Sequence, residues 1–433
     1  MSTVRAELAV VGAGPAGLAA ARAAADLGAQ VVLVDAGRAA GGQIYRQPVT
    51  AGAARTPGAG PKLPARLRRV TSHPRVRHLP ATSVWQAAAG EQFMLWLTGG
   101  DQLQARAVII ATGASEIVLP FPGWERPGVT TVGAAQALLK GQGVVAGQRV
   151  LVAGSGPLLL PAAAGLAEAG VEVVAMLEAT PLSPGAVGRA ARLARYTGKA
   201  GEAAAYARIL ARHRVPVRPG RAVTAVHGDE EVTGATISRV DRDWRPVPGT
   251  ERRVRVDAVH ASFGFSPALE LSRALGCADL PQPGRPTAAV WCDDNQATSV
   301  PGVFAAGETT GVAGADVAEL EGCVAGVAAA RYLEQSSPDG FGQKMNGVRA
   351  GSGERAGQRL RPALARARRF ARGLDELYPW RPGGLDWPGP DTIVCRCEEV
   401  PWAAIGAAVA DGARDVRAVR GATRCGMGYC QGR

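Results

Sequence analysis

Four cysteines crowd the C-terminal end of the chain: Cys395, Cys397, Cys425 and Cys430. They fall into a C-x-C pair and a C-x-x-x-x-C pair. Four thiolates suit an iron–sulfur cluster or a zinc site. Two close pairs can each chelate one iron of a [2Fe–2S] rhomb, and zinc favours pairs spaced C-x₂₋₄-C. Gly426 and Gly428 let backbone N–H groups turn toward the sulfurs, and Arg396 and Arg424 bring positive charge that lowers thiolate pKa. The remaining cysteines, Cys277, Cys292 and Cys323, are solitary and read as buried thiols.

The second chemical signal opens the chain. Leu8–Val11 is a short apolar strand, followed by Gly12, Gly14 and Gly17 in G-x-G-x-x-G spacing. An alanine-rich helix then runs to about Leu27, and Val31–Val34 makes a second buried strand ending at Asp35. Gly12 permits the turn, Gly14 lets backbone approach a pyrophosphate, and Gly17 lets the helix pack close to the sheet. The helix N-terminus offers N–H groups to phosphates, and Asp35 can accept hydrogen bonds from ribose hydroxyls. Pattern alone does not choose between FAD and NAD.

The unit recurs. Arg149 begins RVLVAGSGPLLLPAAAGLAEAGVEVVAMLE, in which Gly154, Gly156 and Pro157 match the first turn. Leu159 stands where the third glycine belongs, so it pushes the helix outward or meets a smaller facing residue. Glu178 ends the second strand. It favours ribose hydroxyls over a 2′-phosphate, and with no arginine closely following it NADH fits better than NADPH. A structural, ligand-free turn is the alternative at this second site.

At 433 residues the chain is long enough for two or three domains. No uninterrupted apolar run is long enough to span a membrane, and no n-region and h-region precede the first strand. The expectation is a cytoplasmic protein. The net charge of +12 comes mostly from scattered arginines without interleaved aromatics, which argues against nucleic-acid binding. The dense run around Arg361, Arg366, Arg368, Arg369 and Arg372 reads as a solvated helix face or as half of a protein–protein contact.

Taken in order, Gly41-Gly42-Gln43 forms a loop beneath the first turn, and residues 47–65 read as loop. Thr82–Ala87, Phe93–Leu97 and Gln102–Thr112 are strands, the last ending in Ala111-Thr112-Gly113. Pro120–Pro127 reads as a linker. Residues 186–214 form helix, and Val215–Val256 alternates as antiparallel strands with turns at Gly228-Asp229 and Pro248-Gly249. Asp257–Phe265 is a strand with His260 in its core. Val303–Glu308 is another, followed by a helix after Gly314. Residues 336–360 read as linker, Arg361–Leu377 as a basic helix, Tyr378–Pro390 as irregular, and Pro401–Ala413 as a short helix between the cysteine pairs.

As a set in this order, Gly12-Ala13-Gly14-Pro15-Ala16-Gly17, Gly41-Gly42-Gln43, Ala111-Thr112-Gly113, Gly154-Ser155-Gly156 and Gly302-Val303-Phe304-Ala305-Ala306-Gly307-Glu308 resemble the two-dinucleotide-binding-domain flavoproteins of the thioredoxin-reductase and glutathione-reductase type. The resemblance covers about residues 7–335. It implies an α/β fold of two Rossmann-like dinucleotide-binding domains, with FAD at the first turn and NAD(H) or another adenine nucleotide at the second, in an inserted domain. Asp35 would hold the adenosine ribose, and Pro15, Ala16, Ala36, Gly42, Gln43 and Val84 would line the FAD site. Gly307 and Glu308 would approach the flavin end. The family usually carries Asp at the last position, so Glu308 changes the reach.

The disulfide reductases of this type carry C-x-x-C beside the flavin, and residues 1–335 contain no such pair. Electrons need another exit. The segment CRCEEV…TRCGMGYCQGR resembles the bacterioferritin-associated-ferredoxin-like [2Fe–2S] domain, a small α-helical iron–sulfur domain. Flavoprotein and tail together resemble the α subunits of opine oxidase, hydrogen cyanide synthase and D-hydroxyproline dehydrogenase complexes. That implies a separate flavin-dependent subunit oxidising an amine or amino acid, often with a small ferredoxin-like subunit. Relatives commonly continue past the position of Arg433.

The expected layout is FAD domain 1–118 and 256–335, inserted nucleotide domain 119–255, linker and basic helix 336–390, and iron–sulfur domain 391–433. The expected function is an electron-transferring FAD subunit of such a dehydrogenase. The alternatives are a stand-alone NADH:acceptor oxidoreductase and a nucleotide-binding scaffold subunit. No acid–base residue is assigned, and no cluster of Arg, Tyr and His names a substrate.

Overall fold

The computed structural model describes residues 2–49, 57, 62–336 and 352–431. Two compact units divide the chain: Met1–Ala54, Gly60–Ser115 and Phe265–Asp375 in one, Arg55–Ala59, Glu116–Gly264 and Glu376–Arg433 in the other.

The first unit is built on a seven-stranded sheet. Thr3–Val11 lies between Val31–Val34 and Gln102–Ile110, parallel to both. Val303–Ala305 adds in parallel to the last residues of Gln102–Ile110, and Phe93–Leu97 pairs antiparallel with its first residues. The central segments Leu8–Val11, Val31–Val34 and Ala107–Ile110 are unbroken runs of Val, Ile, Leu and Ala, buried on both faces. Helix Pro15–Asp26 covers one face and packs on helix Ala315–Gln335. That contact is backbone-close. A Cβ on Gly322 would lie 2.1 Å from the Ala16 carbonyl oxygen, and one on Gly326 would lie 2.3 Å from that of Ala20.

A five-stranded parallel sheet forms the second unit, in the order Val217–Pro219, Glu172–Glu178, Arg149–Gly154, Ala258–Ser262, Val129–Thr131. A three-stranded antiparallel sheet, Arg221–His227, Gly234–Arg239 and Arg252–Val254, packs beside it. The fold is therefore α/β with two Rossmann-like halves, as the repeat implies. His260 is fully buried in Ala258–Ser262, and its Nδ1 lies 2.8 Å from Thr130 Oγ1. Burial lowers its pKa to about 4.

Three stretches differ from expectation. Pro120–Pro127 is no free linker: Phe121 is fully buried, and Pro122 accepts from the Val226 N–H at 2.8 Å. Tyr378–Pro390 is irregular but anchored. Trp387 sits in the core of the second unit, its indole N–H donating to the Trp244 carbonyl at 2.7 Å. The basic helix begins at Ser352 and carries Pro362 inside it. Residues 337–351 of the expected linker, and most of the expected loop 47–65, lie outside the described residues. Among the described residues no helix is long and apolar enough to cross a membrane.

Candidate functional site

The first turn is held by carbonyls that leave no room for side chains. A Cβ on Gly12 would sit 2.3 Å from the Ala111 oxygen, and one on Gly17 would sit 1.7 Å from the Gly12 oxygen. Helix Pro15–Asp26 starts at once, with the Leu18 N–H donating to Gly14 at 2.9 Å and no side chain capping its N-terminus. Its first N–H groups are thus open to a phosphate. The Asp35 carboxylate accepts from the N–H of Ala13 and, at 2.6 Å, from that of Gly37. Gly41 donates to the Ala13 carbonyl at 2.8 Å, which brings Gly42 within van der Waals range of Gly14. Gln43 is turned toward Arg46, 2.6 Å away. Thr82, two residues before Val84, donates to the Asp35 carbonyl at 2.8 Å, and Ala36 is exposed beside it. Thr112 and Gly113 bond to Ala268, and around Gly113 the space is open.

Gly307 closes the first turn from the far end of the sequence: a Cβ there would meet the Ala16 methyl at 2.8 Å. Burial raises the pKa of Glu308, opposed by the Gly314 N–H.

The second turn repeats the plan with changes. A Cβ on Gly154 would lie 1.7 Å from the Ser262 oxygen. The Glu178 carboxylate accepts from the N–H groups of Gly156 at 3.0 Å and Thr180 at 2.8 Å. Burial raises its pKa to about 7 against the pull of those donors. Pro157 lies in an irregular turn, and helix Leu159–Glu168 begins only after it. Leu159, 1 % exposed, packs into the core at the position of the missing glycine.

At the C-terminal end, Cys395 and Cys397 stand 3.8 Å apart and Cys397 and Cys430 3.5 Å apart, sulfur to sulfur. Two thiolates on one tetrahedral metal at ~2.3 Å stand about 3.8 Å apart, so the donor set fits metal chelation in pairs. The Gly426 N–H donates to Cys395 Sγ at 3.3 Å. Burial pushes that thiol up, but the N–H groups of Gly426 and Glu398 outweigh it and its pKa is lowered. Gly428 serves differently from expectation: a Cβ there would lie 2.6 Å from Cys397 Sγ, so it makes room. The arginines differ too. Arg396 stacks on Trp124 at 4.2 Å, and Arg424 pairs with Glu398 at 2.7 Å. Arg420 is the cation whose field lowers the Cys425 pKa, against a net rise from burial. Among the described residues no group of three or more His, Cys, Asp and Glu side chains converges to hold a metal ion. Between the pairs lie two helices, Trp402–Ala410 and Val416–Thr423, where one was expected.

The family pattern "Pyridine nucleotide-disulphide oxidoreductase" matches residues 6–322, both glycine turns included. The chain belongs to that family.

This pyridine nucleotide-disulphide oxidoreductase family member is an FAD-dependent oxidoreductase. It is 32 % identical to an opine oxidase subunit of Agrobacterium tumefaciens (strain Ach5), over 99 % of this chain and 83 % of that protein. With hydrogen cyanide synthase subunit HcnB of Pseudomonas protegens it shares 30 % identity, over 98 % of this chain and 89 % of the relative. L-proline dehydrogenase from P. horikoshii has the same fold, with a TM-score of 0.63 at 18 % identity, over all of this chain and 72 % of that one.

One group behind the first turn escapes sequence reasoning. Glu321, 4 % exposed on helix Ala315–Gln335, accepts from the Gly307 N–H and the Thr310 hydroxyl, both at 2.9 Å. Its other oxygen accepts from Arg368 at 2.7 and 3.1 Å. Arg368 belongs to the run read as a solvated face. The signal lay beside it, in the apolar stripe Leu360, Leu364 and Ala367 that packs onto Val317 and Val324.

Proposed function

We propose that this chain is the electron-transferring FAD subunit of a heteromeric amine or amino-acid dehydrogenase of the opine, D-hydroxyproline or glycine type. The observation that carries the reading is pairwise: Cys395 stands 3.8 Å from Cys397, and Cys397 3.5 Å from Cys430, sulfur to sulfur, in a flavoprotein without a C-x-x-C pair. FAD bound at the first turn supplies reversible two-electron acceptance. There the open N-terminus of helix Pro15–Asp26 would take the pyrophosphate, and Asp35 the ribose. Gly307, held by Glu321, keeps the flavin end free of side chains. Cys395, Cys397, Cys425 and Cys430 would hold a [2Fe–2S] cluster, which supplies a one-electron store. In this allocation residues 391–433 are the iron–sulfur domain, and NAD(H) or another adenine nucleotide occupies the second turn at Gly154, Gly156 and Glu178.

The names of the relatives, subunits of an oxidase and a synthase, support partner subunits. In this reading one partner oxidises the amine or amino acid, and a small ferredoxin-like protein is the third member. Reduced thiols and a thiolate-held cluster suit a cytoplasmic setting.

The test is a Cys397→Ser, Cys430→Ser protein. It should keep its yellow flavin and lose both iron and the visible iron–sulfur bands. Retention of those bands would sink the ligand assignment. Anaerobic absorbance with NADH separates the main alternative. Rapid bleaching of the flavin by NADH alone makes the chain a self-sufficient NADH:acceptor reductase. Bleaching only when an amino acid and the partner protein are both present supports the electron-transfer role.

A further inference from the structure

The basic helix Ser352–Leu377 lies beyond the residues that match the family pattern, yet it reaches the back of the first turn. Leu360, Leu364 and Ala367 seat it on helix Ala315–Gln335. Arg361 adds a hydrogen bond to Asn295 Oδ1 at 3.2 Å. Arg368 goes deeper and donates to Glu321 Oε1 at 2.7 and 3.1 Å. Gln296 completes the group. With its amide nitrogen turned to the Ala305 carbonyl it donates there at 2.8 Å, and its oxygen accepts from Arg368 at 2.8 Å. Gln296 is fully buried and held in the left-handed region at φ 63°. A residue other than glycine stays there only where its surroundings fix it, and such positions cluster at functional sites.

The turn Ala305–Thr310 is thus met by two side chains that share one guanidinium. Glu321 takes the Gly307 N–H and the Thr310 hydroxyl, and Gln296 takes the Ala305 carbonyl. Hydrogen bonding alone does not call for charge at this place. An amide at position 321 can accept the same N–H, and the apolar stripe already seats the helix. A carboxylate and its cation are costly to bury, and apolar replacements of similar volume are often as stable. Glu321 nonetheless has only 5 % of its side chain exposed, and Arg368 38 %. Gly307 in turn presses on Ala16 of the first turn. The carboxylate is therefore one hydrogen bond from the backbone that closes that turn, and its charge acts where solvent screens little.

We propose that Arg368 is a positioning residue that tunes the reduction potential of the flavin through Glu321. Uptake of an electron pair and one proton adds a negative charge to a flavin. Arg368 balances Glu321, so the turn presents almost no net charge to it. The inference rests on the reading that FAD sits at the first turn with its flavin end toward Gly307.

The test is the midpoint potential of the flavin in the full chain, from anaerobic, dye-equilibrated reduction at pH 8 followed at the flavin band. Glu321→Gln strands the cation and should raise the potential. Arg368→Gln strands the carboxylate and should lower it. Each shift should be about tenfold in the ratio of affinities for reduced and oxidised flavin, which is about 30 mV for a two-electron couple. The protein carrying both substitutions should return close to the parent value. A merely structural pair gives another pattern, because both single substitutions loosen the same turn and move the potential the same way. Shifts of one sign, or no shift in either single variant, would overturn the proposal. Should Arg368→Gln fail to fold, Glu321→Gln and Arg368→Lys carry the test. The first should raise the potential, the second should leave it near the parent value because the charge is kept, and any other pair of results would overturn the proposal. Because the readout needs neither the cluster nor a partner protein, its failure is distinguishable from failure of the electron-transfer reading.

Discussion

The two glycine turns begin from one pattern and end in different states. In the first, Asp35 takes the N–H of Ala13, the residue after the first glycine. In the second, Glu178 reaches one position further and takes the N–H of the second glycine, Gly156. The first helix starts immediately after its turn, whereas the second starts two positions later in register. The first turn thus keeps the donors that a pyrophosphate needs. The second engages one of them with its own carboxylate, and a buried leucine loosens its opening helical turn. One position of glycine and one methylene of acid separate the two turns.

The largest effect should come from erasing that distinction. A Gly17→Leu protein gives the first turn the residue of the second. Its Cβ would stand 1.7 Å from the Gly12 oxygen, so the helix must move. The purified protein should lose nearly all bound flavin, read as the flavin-to-protein absorbance ratio. Full retention would mean that the third glycine is not what prepares the turn.

Next is the clamp of Glu321 and Arg368 on Gly307. Arg368→Ala leaves Glu321 buried without its cation, and a loss of about 2 kcal/mol is expected by chemical denaturation, discounted for the partial exposure of the arginine. The flavin should release faster in the same protein. An unchanged release rate with lower stability would make the clamp purely architectural.

The smallest effect is a pH dependence of the second turn. Glu178 has its folded pKa raised from 4.5 to about 7, so the folded protein holds an extra proton between those values. Its contribution to stability therefore falls as pH rises through that window. Ribose hydroxyls need the ionised acceptor, so adenosine 5′-monophosphate should bind more tightly at pH 8 than at pH 6, by roughly tenfold. In a Glu178→Gln protein the slope should vanish. A slope that survives places the titration elsewhere.

The first turn was legible because its spacing is its mechanism: Gly12, Gly14, Gly17 and Asp35 are near in sequence and each is demanded by backbone geometry. The crowding of the cysteines was legible for the same reason. What stayed hidden was assembled from distance. Glu321 looks like any acid on a long helix until Arg368 and Gly307 are brought to it. Trp387, in a Pro/Gly-rich stretch, gave no period from which its burial could be read.

The glycines at 322 and 326, pressed onto the carbonyls of Ala16 and Ala20, also set a schedule for synthesis. The helix that receives them leaves the ribosome roughly 300 residues earlier, which at ~5–20 residues per second is about 15–60 s. For that interval the alanine-rich first helix has no partner against its close face. The nascent chain must carry that apolar surface uncovered, or lend it to a chaperone, until the far end of its own unit arrives.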